Sequence, residues 1–411
     1  MKKMTNWEEL EWRGLIKDVA GNDIADKINN ESVTFYWGTD PTADSLHLGH
    51  YSSLITAKRL MKMGHKPILL CGGATGRIGD PRPTSEREII SIDTLNHNVE
   101  CIRKQIDKIF DGKAKLVNNY DWFKGYEYLD FLRDIGKYIN VNYMLSKDII
   151  NRRLETGITY AEFSYMLIQG YDFLNMYRRM NCIMQVEGSD QWGNITTGID
   201  LIRKIDNKEA YGFTMPLILD SNGKKFGKSE GNALWLDINK TSSYALYQYL
   251  LNTDDSKVLE YLKVFTFLTP DEIMTIVHEH EKAPHLRLAQ KTLAQCIITD
   301  LHGEEEYLKA VKISEALFNE NITSLSAKEI EEALKDVAHV EIEEGNIADV
   351  LTKAGIFKSK REARELISGN ALSLNNKKIN DLEYIITKKD VIDNLIVIKK
   401  GKKTYYLGIM N

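Results

Sequence analysis

The segment Val33-Thr34-Phe35-Tyr36-Trp37-Gly38-Thr39-Asp40-Pro41-Thr42-Ala43-Asp44-Ser45-Leu46-His47-Leu48-Gly49-His50 starts as one kind of element and ends as another. Residues 33–38 are β-branched, aromatic and apolar, which predicts a buried strand. Asp40-Pro41 initiates a turn, and Ser45 is placed to cap the helix that follows. Over residues 50–63, Ala57, Leu60 and Met61 keep helical spacing, and Pro67-Ile68-Leu69-Leu70-Cys71-Gly72-Gly73 reads as a second buried strand. Strand, helix and strand within about forty residues make a parallel βαβ unit, so the fold class is α/β with a Rossmann-like doubly wound parallel sheet. A helix opening at the C-terminal edge of such a strand aims unpaired N–H groups and the positive end of its dipole at the crevice. His47 and His50, three apart, share one face of its first turn, and Gly49 lets a nucleotide approach the backbone. Two imidazoles there can hydrogen-bond phosphate oxygens as charge builds at a transferring phosphorus. As a metal pair they lack a third ligand at sensible spacing.

Further along, residues 183–186 and 209–219 predict later strands of the same sheet. The segment Asn222-Gly223-Lys224-Lys225-Phe226-Gly227-Lys228-Ser229-Glu230-Gly231 follows. It has three residues between its first two glycines where a Walker A loop has four, so it is not that motif. Its glycines predict a mobile loop in which Lys225 and Lys228 can close over a leaving pyrophosphate while Ser229 donates a hydrogen bond. Taken alone it is an ordinary solvated turn. From Ser242 to about Phe318 the pattern is helical. Tyr165, Gln169 and Asp172 fall at i, i+4 and i+7, a polar stripe poorly suited to a core and well suited to reading a polar ligand.

The 411 residues sum to a net charge of -5, so any field for nucleic acid is local. Residues 320–348 set Lys328 and Lys335 against eight acids, whereas 349–411 set thirteen Lys and Arg against seven acids. That swing predicts a separate basic module. Within it Lys358, Lys360, Arg361 and Arg364 crowd the start of a helix capped by Ser359, the footprint of phosphate-backbone contact. The expected division is a catalytic domain over 1–220, the lysine loop over 221–235, an α-helical domain over 236–325, an acidic linker over 326–346 and a small α+β module over 347–411. No stretch is long and apolar enough for a transmembrane helix, and the N-terminus turns acidic where a signal peptide would turn apolar. Four scattered cysteines fit a reducing, cytoplasmic setting.

His-Leu-Gly-His early in a parallel-sheet domain with Lys-Phe-Gly-Lys-Ser at its end resembles the class I aminoacyl-tRNA synthetases. Tyr36, the run Gly72-Gly73-Ala74-Thr75-Gly76-Arg77-Ile78-Gly79-Asp80-Pro81, the run from Tyr165 to Phe173, and Gly188-Ser189-Asp190-Gln191-Trp192-Gly193-Asn194 narrow the resemblance to the bacterial tyrosyl-tRNA synthetases. It extends over essentially the whole chain, and the basic module is similar to an S4 RNA-binding domain. The resemblance implies that Asp172 and Tyr36 bind the tyrosine hydroxyl, and that Tyr165, Gln169 and Asp80 hold its α-ammonium. It places Gln191 near the substrate carboxylate, Asp190 on the ribose, and Asp40, Thr42, Gly49, His47 and His50 around ATP. Rejection of phenylalanine is likewise a property of that family, carried over rather than read from spacing. The implied substrates are L-tyrosine, ATP with Mg²⁺ and tRNA(Tyr), with no tightly bound cofactor; a homodimer is also implied.

Thr42, His47, His50, Lys225, Lys228 and Ser229 are the expected catalytic set. The tyrosine carboxylate is already ionised at neutral pH, so catalysis rests on positioning and on cations rather than on a general base. Three features depart from the family pattern. Trp37 follows the pocket tyrosine where a small residue is common, Ser229 replaces a common threonine, and Arg82-Pro83-Thr84 stands where Ser-Gly-Lys is frequent, leaving Arg82 or Arg87 as the expected cation. The rival readings are a small-molecule nucleotidyltransferase, a tryptophanyl-tRNA synthetase and an inactive synthetase fold kept for RNA binding.

Overall fold

The computed structural model describes residues 4–81, 87–229, 232–318, 321–335, 337–401 and 404–410, and the side chains of residues 148, 149, 228, 229, 232 and 318 lie outside that description. Arg82, one expected cation, and the tail residues Lys402 and Lys403 are also outside it. The chain divides into two compact units, residues 1–240 with 253–301 and residues 241–252 with 302–411.

The first unit is built on a six-stranded sheet: β1 (Val19–Ala20), β2 (Thr34–Thr39), β3 (Lys66–Cys71), β4 (Lys115–Asn118), β5 (Met184–Gly188) and β6 (Tyr211–Met215). Its order is β1-β6-β5-β2-β3-β4. All neighbours are parallel except β1, which pairs antiparallel with β6 at the edge. The chain steps outward from β2 to β3 and β4, then returns to lay β5 on the other side of β2. The expected doubly wound sheet therefore exists, and its switch point lies between β2 and β5, where such folds bind ligands. The buried apolar runs of β2, β3 and β5 are what a sheet covered on both faces requires.

The expected single helical domain over 236–325 is not what forms. The helix Asp255–Phe265 belongs to the first unit because two buried arginines gather the carbonyls at its C-terminal end. Arg13 donates to the carbonyls of Lys263 (2.8 Å) and Leu268 (2.6 Å), and Arg59 to those of Thr266 (2.7 Å) and Val264 (3.2 Å). Those are carbonyls a helix end leaves unpaired, at the negative pole of its dipole. Ser243–Leu251 instead packs with Glu304–Phe318 in the second unit.

The acidic segment is no linker either. Ser326 and Glu329 form a capping box for the helix Ala327–Ala333, whose Glu329 and Glu332 pair with Lys312 and Lys309. Ala338–Ile342 then joins a five-stranded sheet as the parallel neighbour of Thr404–Met410. The acidic composition covers solvent faces while Ile330, Leu334 and Ile342 go inward. In the strand Leu395–Lys400 alternation supplies both faces of that sheet. Leu395 and Val397 pack with Ile313 and Ile330, whereas Ile396 and Ile398 pack with Leu351, Phe357 and Ile367.

Candidate active site

The helix Leu48–Lys62 begins two residues earlier than its apolar spacing predicts, and Ser45 does not cap it. Ser45 is buried: it donates to the carbonyl of Leu46 and accepts from the Asp237 amide. His47 is the N-cap. Its Nδ1 accepts from the Gly49 amide (3.1 Å), and the Nδ1 of His50 accepts from the His47 amide (3.3 Å), while the two rings stack 3.8 Å apart. An accepting Nδ1 places the proton of each neutral ring on Nε2. Burial, then His47 and the cations Arg87 and Lys225, push His50 down to about 3, so it is neutral at physiological pH.

The lysine loop reaches this same turn. Residues 218–226 fold back on themselves, with the Phe226 amide on the Ile218 carbonyl (2.9 Å) and the Asp220 amide on that of Lys224 (2.8 Å). Gly227 follows with φ +86°, and a Cβ there would lie 2.7 Å from the Gly49 nitrogen. The Leu234 amide donates to the Gly227 carbonyl (3.0 Å), and the Leu234 carbonyl accepts from the Leu48 amide (2.7 Å), one of the helix's orphan donors. Residues 47–50 and the loop through Gly227 are thus in direct contact. The side chains of Lys228 and Ser229 lie outside the described residues.

A cavity of about 590 Å³ opens at the switch point, a usual size for a small-ligand site. Thr42, His47, Gly49, His50 and Lys225 line one part of it, joined by Asp190 and Gln191 from the turn after β5. Tyr36, Asp40, Asp80, Tyr165, Gln169 and Asp172 line the rest. The Tyr36 hydroxyl and Gln169 Oε1 are buried and make no hydrogen bond of good geometry among the described residues, which suits groups awaiting a ligand.

Acidic groups are concentrated in the cavity, and burial favours their protonated forms. Burial pushes Asp172 up to about 8 and Asp80 up to about 7, and raises Asp40 and, strongly, Glu187. Glu187, which the sequence reading passed over, accepts from the Gly38 amide (2.6 Å) at the end of β2. Asn119, Thr75 and Trp122 were also missed, and they organise the acids. Trp122 Nε1 (2.8 Å) and Asn119 Nδ2 (3.0 Å) donate to Asp172. Asn119 also donates to Thr75, which donates to Asp40 (2.6 Å), and Tyr165 donates to the other oxygen of Asp40 (2.9 Å). Asp80 accepts from Gln191 (2.8 Å). A Glu closing a parallel strand and an Asn pair after β4 were the available signals. Of the two expected cations, Arg87 is present: it lines the cavity and donates to the Asp80 carbonyl (3.0 Å). Trp37 fills space beside the site and donates to Ser53 (3.0 Å).

In the second unit, Ser359 caps the helix Lys360–Ser368 as predicted, accepting from the Glu362 amide (3.2 Å). Lys360 pairs with Asp349 (2.6 Å) and Arg361 with Glu365 (3.1 Å), both with largely exposed side chains.

A parallel sheet whose switch-point helix carries stacked histidines and is met by a returning lysine loop has the class I tRNA synthetase architecture. Residues 28–319 match the family described as tRNA synthetases class I (W and Y), and 329–408 match the tyrosine–tRNA ligase SYY-like C-terminal domain. The chain is 49% identical to a tyrosine–tRNA ligase of Streptococcus agalactiae serotype V, over 98% of this chain and 99% of that one. It is 48% identical to one of Staphylococcus carnosus with the same coverage. A C-terminally truncated mitochondrial tyrosyl-tRNA synthetase of Aspergillus nidulans superposes with TM-score 0.69 at 33% identity, covering 77% of this chain and 95% of that one. The chain belongs to the tyrosine–tRNA ligase family. The C-terminal match begins at residue 329, inside the segment expected as a linker, in agreement with the strand Ala338–Ile342.

Proposed function

We infer that this protein activates L-tyrosine with ATP and transfers the tyrosyl group to tRNA(Tyr). The observation that carries the reading is the meeting of Gly227 with Gly49, which brings Lys225 and the His47–His50 turn to the cavity that also holds Tyr36 and Asp172. In the first step the tyrosine carboxylate attacks the α-phosphorus. A C–O–P bond forms, the bond to the β-phosphate oxygen breaks, and pyrophosphate leaves. In the second step a terminal hydroxyl of the tRNA attacks the acyl carbon and AMP leaves.

The roles follow from chemistry. The Tyr36 hydroxyl and Asp172 face the phenol, and an amino acid lacking that hydroxyl leaves the buried Tyr36 hydroxyl desolvated without a partner. Asp80, Tyr165 and Gln169 take the α-ammonium, whose charge offsets the crowded carboxylates, and Gln191 lies beside them for the substrate carboxylate. Asp40, Gly49 and Asp190 serve the nucleotide. Neutral His47 and His50 donate from Nε2 to phosphate oxygens, with Thr42, Lys225, Lys228 and Ser229 stabilising the charge that moves onto pyrophosphate. Mg²⁺ enters with ATP as part of the substrate; the described residues hold no cluster of three or more His, Cys, Asp or Glu suited to a metal ion. Lys358, Lys360, Arg361 and Arg364 contact the tRNA backbone. The protein acts as a homodimer.

The test is amino-acid-dependent exchange of pyrophosphate into ATP, screened over tyrosine, tryptophan and phenylalanine. Exchange with tyrosine alone is expected. Exchange with tryptophan would favour the sister specificity, and none at all would favour an inactive RNA-binding protein.

A further inference from the structure

The lysine loop presents one exposed flank and one buried anchor. Residues 221–225 are exposed, whereas Phe226 is only 2% exposed. Its ring lies 4.7 Å from that of Phe265 in a stacked arrangement and 4.6 Å from that of Tyr261 edge-on, both on the helix Asp255–Phe265. Tyr261 holds the other limb of the same fold-back, donating from its hydroxyl to the Leu219 carbonyl (3.0 Å). Phe265 also neighbours Tyr51, whose ring is nearly parallel to it at 6.1 Å and whose hydroxyl donates to Asp300 (2.7 Å). Tyr51 sits one residue past His50 in the helix that the loop meets. The aromatic column Phe226–Phe265–Tyr51 thus joins the two segments that line the phosphate side of the cavity, and it does so through a helix that contributes no side chain to that cavity.

We propose that Phe265 and Tyr261 are positioning residues that seat the lysine loop through Phe226 and so fix the approach of Lys225 to the phosphates. The inference rests on the adenylate-forming reading for its kinetic consequence, but its structural content stands without it. Stacked and edge-on aromatic pairs have preferred offsets and angles, so the ring of Phe226 is held in orientation as well as in depth. An aliphatic side chain of similar size keeps the burial and loses the registration. Lys225, the residue just before Phe226 in the chain, inherits any rotation of that ring.

The experiment compares Phe265→Leu, Tyr261→Leu and Tyr261→Phe by two readouts. In single-turnover adenylate formation, Phe265→Leu and Tyr261→Leu lower the rate by roughly tenfold or more while the tyrosine Kd stays within about twofold, and Tyr261→Phe, which keeps the ring, retains most of the rate. Amide hydrogen exchange is the second readout and needs no catalysis. In both leucine variants the amides of Asp220 and Phe226 exchange faster, while those within the helix Ile92–Ile109, which packs against β3, do not. Equal loss of rate and tyrosine affinity, a Tyr261→Phe as impaired as Tyr261→Leu, or unchanged exchange at Asp220 and Phe226 would each overturn the proposal. Wild-type protein inactive in pyrophosphate exchange would instead refute the functional reading and leave the exchange result to judge the seat.

Discussion

Replacing Gly227 with alanine tests the contact on which the active-site reading depends. Two costs arise. The residue has φ +86°, where an L side chain costs about 1–2 kcal/mol. The added Cβ also lies 2.7 Å from the Gly49 nitrogen and 3.0 Å from the Leu48 carbonyl carbon, backbone atoms in the first turn of a helix that cannot rotate aside. The separation must open to ordinary contact near 3.4 Å, so the loop retreats by a sizeable part of an ångström and carries Lys225 with it. A misplacement of about 1 Å can cost on the order of 10²-fold in rate. The expected outcome is a fall of about 10- to 100-fold in adenylate formation at saturating tyrosine, followed by quenched flow, with tyrosine Kd from equilibrium dialysis changed less than about twofold. Gly223→Ala is the control, because Gly223 also has positive φ (+77°) but a Cβ there meets nothing within 4 Å. It bears the conformational cost alone, in an exposed turn, and should keep its rate within about threefold. If both variants slow equally, or if Gly227→Ala weakens tyrosine binding as much as it slows adenylation, the contact is not what sets the loop.

Four further outcomes are expected. Tyrosine affinity should rise with pH and level off above about 7, because Asp80 holds a proton up to about 7 in the empty cavity and an arriving ammonium favours the carboxylate; Asp80→Asn should flatten the profile in calorimetric titrations. For the same reason the ligand-free protein should lose thermal stability as pH rises from about 7 toward 8, above the range in which the neutral folded His50 works in the opposite direction: folded Asp80 and Asp172 keep protons that the unfolded chain has already lost, and a melting temperature that climbed over that range would contradict their burial. Lys228→Ala should depress adenylate formation by about 10²-fold while sparing tyrosine affinity, and replacing Lys358, Lys360, Arg361 and Arg364 together by alanine should leave pyrophosphate exchange intact while the salt dependence of tRNA binding flattens by roughly 0.7–0.9 in log–log slope per lost contact.

Much of the site was legible because its chemistry violates the rules of a core. A polar stripe over Tyr165, Gln169 and Asp172 and a His pair after a strand announce a ligand. Asn119, Thr75 and Glu187 were illegible for the opposite reason: each is a common residue type whose function consists of a partner far along the chain, such as the bond from Gly38 to Glu187. The cap was misassigned because Ser is the usual choice and His is not. The domain borders failed where tertiary packing overrides composition. Two arginines annex one helix of a uniformly helical stretch, and a strongly acidic segment supplies a sheet strand because only its alternate residues need be apolar.

The histidine turn has a consequence for what could replace it. In the proposed reaction each imidazole does two jobs with its two nitrogens, closing the helix end with Nδ1 and donating from Nε2 to phosphate. Asparagine can imitate the first nitrogen by reach and polarity, and glutamine the second, but no other side chain spans both. Asn at position 47 or 50 should therefore yield a well-formed but chemically deficient turn, and Gln a frayed turn with its donor retained. Such a pair of variants would separate the architecture of this corner from its chemistry.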